Sequence, residues 1–363
     1  MIDFRYHLVS IVAVFLALAV GIVVGSTALK PGVIKALTAV SSHEKKQIDS
    51  LLAQQRSLKQ QVSADQSFAQ AEASRLLPGL LTGEDVVIVD APGADSQTVS
   101  GITTALHQAG AKVTGQIGLQ SSFFDTSGGA ESQLSQLAQN LAPAGLDLSS
   151  QAADPKLTGQ ETAARVIAAA LVTGSNSAWS AVQSHSILSG FGEQGYLQVS
   201  NAGAAGGTTL TSPATLAVVV IPATPPASDT DPANLALVAF AQQLQTASHG
   251  AVVAGSLAGS GAGSAIDEIV SSSAATQLTT VDNASLEAGQ IAVAQALRNL
   301  LNGEKPASYG DGPGVFPSPA PSPAAAADPA ATTPATTPAT GPAAGTATVP
   351  ASTRAARRNP GQR

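Results

Sequence analysis

The five histidines are the residues of this sequence best suited to metal binding or proton transfer. They are His7, His43, His107, His185 and His249. None has a second histidine at the HxxxH or HExxH spacing that sets two imidazoles on one helix face. Cysteine is absent and the one methionine is Met1, so thiolate metal sites, disulfides and cysteine nucleophiles are excluded. The sequence predicts no metal site, no cofactor and no catalytic residue, and therefore a protein that is not an enzyme.

Two glycine-rich segments have the composition of phosphate-binding loops. Residues 190–195 satisfy GxGxxG, but the segment follows a predicted helix and precedes a strand-like run, whereas a dinucleotide fingerprint follows a strand and opens a helix. We interpret it as a turn. Residues 255–263 do follow a predicted strand, yet they lack the Lys-Ser/Thr pair of a P-loop, which favours a flexible loop.

Carboxylates follow two of the predicted strands, at Asp90-Ala91-Pro92-Gly93 and at Asp282-Asn283. Ligands of open α/β sheets bind beyond the carboxyl ends of the strands, so Asp90, Asp282 and Asn283 could face one crevice. The alternative is local and is favoured. Asp90 would begin an Asx or Pro-Gly turn, while Ser285, with Asp282 and Asn283 nearby, would cap the last helix.

The elements that position these residues form a regular alternation. Short β-branched runs predict strands at 86–89, 112–117, 216–221, 251–255 and 277–281, and 196–199 can add an edge strand. Between them, helices are predicted at 97–109, 130–141, 160–172, 177–189, 232–247 and 285–301. Buried strands joined by helical crossovers predict one doubly wound, mostly parallel α/β domain over residues 84–305.

The N-terminal region contains no charged residue over positions 8–29, a length that crosses a hydrocarbon core of about 30 Å. A cleaved signal peptide is the alternative, because Ser26 and Ala28 are placed like the residues flanking a cleavage site. The run exceeds the usual h-region, however, and only a short segment precedes it. We therefore predict an uncleaved signal anchor at residues 1–30, with most of the chain exported.

Small residues recur every fourth position within this span. They are Ala13, Ala17, Gly21 and Gly25. Such a stripe lets two helices approach closely in lipid, which predicts a transmembrane dimer face. The alternative is chance in a sequence rich in alanine and glycine.

Residues 31–78 are predicted to form a coiled coil. A heptad register places apolar residues at the core positions Ile34, Leu37, Ile48, Leu51, Leu58 and Val62, and it continues through Ala69 to Leu76. Pro78-Gly79 should end the helix. One amphipathic helix packed on its own domain is the alternative.

Charge and composition divide the rest of the chain. Residues 84–305 hold 5 Lys/Arg against 17 Asp/Glu, so this acidic segment repels nucleic acid. Residues 306–363 contain 12 of the 22 prolines, separated mainly by alanine and threonine, which predicts a disordered tail.

Several of these segments resemble the actinobacterial MctB family over about residues 1–314. The resemblance lies in residues 1–7 running into 13–21, in Asp90 to Gly93, and in residues 281–283 with 288–289. It implies a copper transport protein of the mycobacterial outer membrane, proposed to permit copper efflux. It also implies a competing role proposed for relatives, in which a single-pass coiled-coil protein partnered by SteA governs septal peptidoglycan hydrolysis. The resemblance supplies no metal-ligand motif.

Two physical arguments favour the second role over direct copper transport. Cu(I) selectivity relies on sulfur ligands, and one spanning helix cannot enclose a pore. Copper binding by this chain is therefore doubtful. We expect a noncatalytic cell-envelope protein with a single span, anchored in the inner membrane although the family name says outer membrane. The family role is copper transport, and the alternative is a dimeric coiled-coil scaffold that acts with a SteA-type partner and a cell-wall hydrolase.

Overall fold

The computed structural model describes residues 4–148, 157–173, 179–200, 212–224 and 232–310, except for the side chains at 4–5, 26–34, 36–40 and 42. The first element is helix α1, which runs from Phe4 to Leu76. Its segment Tyr6–Gly25 has a mean hydropathy of 2.9, and its length and composition qualify it to cross a membrane. The helix continues through Pro31. The predicted anchor and the predicted coil are therefore parts of one helix.

The end of α1 lies at the position that the sequence predicted. The amide of Leu77 still donates to the carbonyl of Ala73, 2.9 Å away. Pro78 follows, and Gly79 then adopts a φ of +86°, a conformation that glycine accepts without steric cost. Proline and glycine together therefore stop the helix where it enters the next domain.

That domain is built on one seven-stranded sheet. Its strands are β1 Asp85–Asp90, β2 Lys112–Leu119, β3 Leu197–Ser200, β4 Leu216–Val220, β5 Gly250–Ala254, β6 Thr279–Val281 and β7 Ser308–Tyr309. Their order across the sheet is β3-β2-β1-β4-β5-β6-β7. Neighbouring strands are parallel except for β3, which pairs antiparallel with β2 at the edge. The predicted mostly parallel, doubly wound fold is confirmed.

Helices cover both faces of the sheet. They are α2 Ser96–Gln108, α3 Ala130–Leu141, α4 Thr158–Leu171, α5 Ala181–Glu193, α6 Pro232–Ala247, α7 Ala265–Ser271 and α8 Glu287–Leu301. One core lies between the sheet and α3 to α7, and the other lies between the sheet and α2, α8 and the end of α1. Every residue of β4 and β5 is buried, as expected for central parallel strands covered on both sides.

Local chemistry explains one helix start that the sequence placed too early. The prediction began this helix at residue 177, but α5 begins at Ala181. Ser180 and Gln183 form a reciprocal capping box, in which the Ser180 hydroxyl accepts from the Gln183 amide and the Gln183 side chain accepts from the Ser180 amide.

The folded domain also extends beyond the predicted boundary at Lys305. Strand β7 pairs with β6, and Tyr309 is buried in the core on the α8 side. The amide of Asp282 donates to the carbonyl of Tyr309 at 3.1 Å, which ties the two strand ends together. Two residues are too few to show the alternation of a strand, so Ser308 and Tyr309 were predicted to belong to the tail. The rest of the predicted tail, residues 311–363, lies outside the described residues.

Candidate functional site

The point at which the strand order reverses, between β1 and β4, is where ligands bind in open α/β sheets. Here the backbone bridges it. Residues 91–94 form the predicted Pro-Gly turn, with Gly93 at φ +84° and the Ala94 amide donating to the Ala91 carbonyl. The Ala223 amide then donates to the Gly93 carbonyl at 2.9 Å, joining the loops that follow the two strands.

The N-terminus of α2, next to this turn, is capped by the protein itself. The Asp95 carboxylate accepts hydrogen bonds from the amide and the hydroxyl of Thr98, at 2.9 and 2.8 Å. These bonds lower the pKa of the Asp95 carboxyl, which therefore stays ionised. A negative charge occupies the place where a dinucleotide pyrophosphate would meet the helix, so this position opposes nucleotide binding.

Asp90 has an unusual environment for a carboxylate. The Gln116 side-chain amide on β2 donates to its Oδ1 at 2.9 Å. A Cβ on Gly118 would lie 3.3 Å from its Oδ2, so the glycine gives the carboxylate room. Burial raises the pKa of the Asp90 carboxyl, and the Gln116 hydrogen bond opposes that rise. The side chain thus reaches across to β2, rather than beginning the predicted Asx turn.

The structure does not bring Asp90 and Asp282 together. Asp282 follows β6, which is separated from β1 by β4 and β5, a distance of about 14 Å at roughly 4.8 Å per strand. The Ser260 hydroxyl donates to the Asp282 carbonyl at 3.2 Å, and the Asp282 carboxylate packs against Gly310. The intervening strands β4 and β5 thus separate the two carboxylates, which agrees with the favoured local interpretation rather than with a shared crevice.

Asn283 has a structural role beside α8. Asn283 is buried. A Cβ at position 289 would overlap the Asn283 carbonyl, so the segment that contains Asn283 can approach α8 this closely only because residue 289 is glycine. The N-cap of α8 is Leu286, whose side chain makes no capping hydrogen bond. The predicted cap by Ser285, with Asp282 and Asn283, is therefore wrong. Asn283 instead fills the space between the strand end and the first turn of α8.

Neither glycine-rich segment forms a phosphate-binding loop. Gly190 and Gly192 lie inside α5, where Gly190 packs against Leu141, and only Gly195, at φ +74°, forms the predicted turn before β3. Hydrogen bonds connect Gly263, at the end of the residue 255–263 segment, to α6 and α7. The Gly263 amide donates to the Asp267 carboxylate at 3.0 Å, and its carbonyl accepts from Asn234. The Gly263 amide, which an anion nest would need, is therefore already bonded to an acidic side chain.

The histidines remain dispersed. His7 and His43 lie in α1, His107 in α2, His185 in α5, and His249 directly before β5. Within the described ranges, no three His, Cys, Asp or Glu side chains are grouped so that they could hold a metal ion.

Among the residues whose side chains are described, a run of exposed apolar residues outside Tyr6–Gly25 lies on α1. Its members are Ile48, Leu51, Leu52, Leu58 and Val62. We call these five residues the free face. Leu51 is 62% and Leu58 is 60% exposed, values unusual for leucine on a water-exposed helix. The other two predicted core positions, Ile34 and Leu37, lie outside the residues whose side chains are described.

The end of the same helix is packed on the α/β domain. Ala73 and Leu77 are buried, and Ala69 and Leu76 are partly buried against the same core. The predicted coiled coil therefore divides into two parts. Its last two turns follow the alternative interpretation, an amphipathic helix packed on its own domain, while the free face has no such cover.

The small-residue stripe points away from the free face. At about 100° per residue, Gly21 and Gly25 lie roughly 150° and 110° around the helix axis from the centre of the free face. Beyond the adjacent backbone of α1, no described atom would lie within 4 Å of a Cβ at either glycine. The predicted transmembrane dimer face and the free face therefore lie on different sides of α1, as a regular helix places them.

Comparison with known proteins shows the family to which the chain belongs. The family described as "Copper transport outer membrane protein, MctB" matches residues 1–317. The chain is 30% identical over 321 residues to copper transporter MctB of Mycobacterium tuberculosis H37Rv, covering 87% of this chain and 98% of that protein. It is also 30% identical over 322 residues to copper transporter MctB of Mycobacterium leprae, with the same coverage. The chain, with its apolar N-terminal helix and α/β domain, belongs to the MctB family.

Proposed function

We propose that this protein serves copper transport in the cell envelope as a membrane-anchored assembly component and does not hold copper itself. Its family membership supports the copper role, because the family and its mycobacterial relatives are named for copper transport. The observation that carries the assembly role is the free face of α1, an apolar strip about 21 Å long at 1.5 Å per residue. Such a strip matches the contact surface of a second helix.

Copper chemistry supports an indirect role. Cu(I) is held selectively by thiolate and thioether sulfur, and this chain has no cysteine and one methionine, at position 1. A single apolar helix also cannot surround a pore, so conduction requires several copies or another protein. Copper is therefore the substrate of an assembly in which this chain supplies the anchor and the contact surface.

We propose that the helix pairs with a second copy of this chain through the free face. Two copies in one membrane are held parallel and at similar height by their apolar segments Tyr6–Gly25, which favours in-register contact. Leu51 and Leu58 occupy d positions of the heptad register, and Ile48 and Val62 occupy a positions. These residue types at these positions suit a parallel two-stranded coil.

A second candidate function rests on the same surface. The face that projects between the membrane segment and the α/β domain could recruit a regulator of septal peptidoglycan hydrolysis, with a SteA-type partner and a cell-wall hydrolase. In this role the protein is a scaffold and copper plays no part. Two features of the α/β domain support a noncatalytic protein under both candidate functions. A backbone hydrogen bond joins the loops that follow β1 and β4, and the carboxylates of Asp90 and Asp282 lie at the ends of strands that are not neighbours.

One complementation experiment separates these functions. A deletion strain would receive the wild-type gene, the face variant Leu51→Asp/Leu58→Asp, or the triple variant with His107, His185 and His249 changed to Ala. Gln60→Asp is the matched control, because it adds a charge on the opposite side of α1. Growth on copper, cellular copper content and cell separation would be measured in each strain.

The copper-assembly proposal expects copper sensitivity in the deletion strain and in the face variant, with full rescue by the histidine and Gln60 variants. Chained cells with normal copper tolerance would instead support the scaffold. Copper sensitivity of the histidine variant alone would contradict both the assembly role and the absence of direct copper binding. Protease digestion of intact cells would test the expected export of the α/β domain.

A further inference from the structure

The free face and the docked end of α1 lie on the same side of one helix. Val62, Ala69 and Leu76 are seven residues apart, so each lies only about 20° around the axis from the previous one. Val62 is exposed, whereas Ala69 and Leu76 pack against the domain core. A single apolar strip thus passes, within about 10 Å, from exposure to contact with the protein's own domain.

The domain element at this position is α8. It packs against the end of α1, where Ala73 and Leu77 are 1% and 0% exposed. Packed helices lie about 8–10 Å apart, whether they belong to one chain or two. At the height of Ala73, α8 and its surroundings therefore occupy the space that a straight parallel partner helix would enter.

We infer that the α/β domain terminates the helix pair: two copies contact each other through the free face and separate before Ala69. This inference rests on the proposed pairing with a second copy. In such a pair, each domain lies beyond Val62 on the side that faces the partner helix. The domains therefore act as wedges that limit the paired segment and force the helices apart at the end farther from the membrane.

The wedge also couples pairing to docking. An event that loosens α1 from α8 would free Ala69, Ala73 and Leu76 for the partner and would lengthen the pair by two heptads. Conversely, a docked domain keeps the pair short. The arrangement of the two domains is then set by the last turns of α1 rather than by a contact between the domains.

Site-specific crosslinking in membranes tests the inference, because the chain contains no native thiol. Single cysteines would replace Leu51 and Leu58 on the free face, and Glu72, the d position two heptads after Leu58, on the docked segment. A disulfide requires Cα atoms within about 7 Å. Gln60→Cys is the control on the opposite side of α1, and maleimide labelling of each variant would confirm that its thiol is reachable.

We expect disulfide dimers for Leu51→Cys and Leu58→Cys, and none for Glu72→Cys or Gln60→Cys. Crosslinking at Glu72→Cys as efficient as at Leu58→Cys, with Trp179 fluorescence showing a folded domain, would overturn the wedge while leaving the pairing intact. Absence of dimers at both Leu51→Cys and Leu58→Cys would overturn the pairing itself, and the wedge with it.

Discussion

Leu77, which directly follows α1, tests whether the end of the helix is packed into the α/β core. Its side chain is 0% exposed and shares a cluster with Ala73 and Leu81. Changing a buried leucine to alanine costs about 2–5 kcal/mol, so we expect Leu77→Ala to lower the free energy of unfolding by about 3 kcal/mol. For a domain of this size each kcal/mol moves Tm by roughly 2–4 °C, which predicts a fall of about 6–12 °C.

Gln60→Ala is the control on α1. Gln60 is exposed and lies on the side of the helix opposite the free face, so its replacement should change the free energy of unfolding by no more than about 0.5 kcal/mol. Thermal unfolding of the full chain in detergent would be followed through Trp179, the one tryptophan. Equal shifts for the two variants, or an unchanged Tm for Leu77→Ala, would refute the docking of α1.

Three further predictions concern the α/β domain. Burial raises the folded-state pKa of Asp90 above its ordinary value of 3.8, so the domain should lose stability as pH rises from that value through the folded-state pKa. Asp90→Asn should weaken this dependence while still accepting the Gln116 hydrogen bond, and a stronger pH dependence of Tm in the variant would contradict it. Truncation after Lys305 should lower Tm because it removes β7, whereas truncation after Gly314 should not; equal Tm values would show that β7 adds no stability. Ser180→Ala should destabilise the domain by about 1 kcal/mol through loss of the capping box, measured by urea unfolding, and an unchanged midpoint would mean that the box is dispensable.

The sequence by itself determined the elements whose periodicity reports burial. Residues 216–221 and 251–255 are continuous apolar runs because both faces of a central parallel strand are covered, and the structure places β4 and β5 there. Residues 232–247 begin at a proline and form α6 with the predicted bounds. Pro78-Gly79 ends α1 because proline and glycine act locally, without help from distant residues.

Short elements and contacts between distant residues could not be predicted in this way. Helix α7 and strand β7 have too few residues to show a period. Asp90 and Asp282 each follow a strand as the sequence indicated, but their separation depends on strand order, which local pattern does not encode. The role of Gln116 depends on the pairing of β1 with β2, which brings it beside Asp90.

The same limit explains the division of α1. Its heptad pattern correctly identifies one apolar side, since exposure of apolar surface to water is costly wherever it occurs. The pattern cannot state what covers that side, because a partner helix and the protein's own α8 select the same residue types at the same spacing. Only the tertiary structure showed that Ala73 and Leu77 are covered by the domain while Leu51 and Leu58 remain exposed.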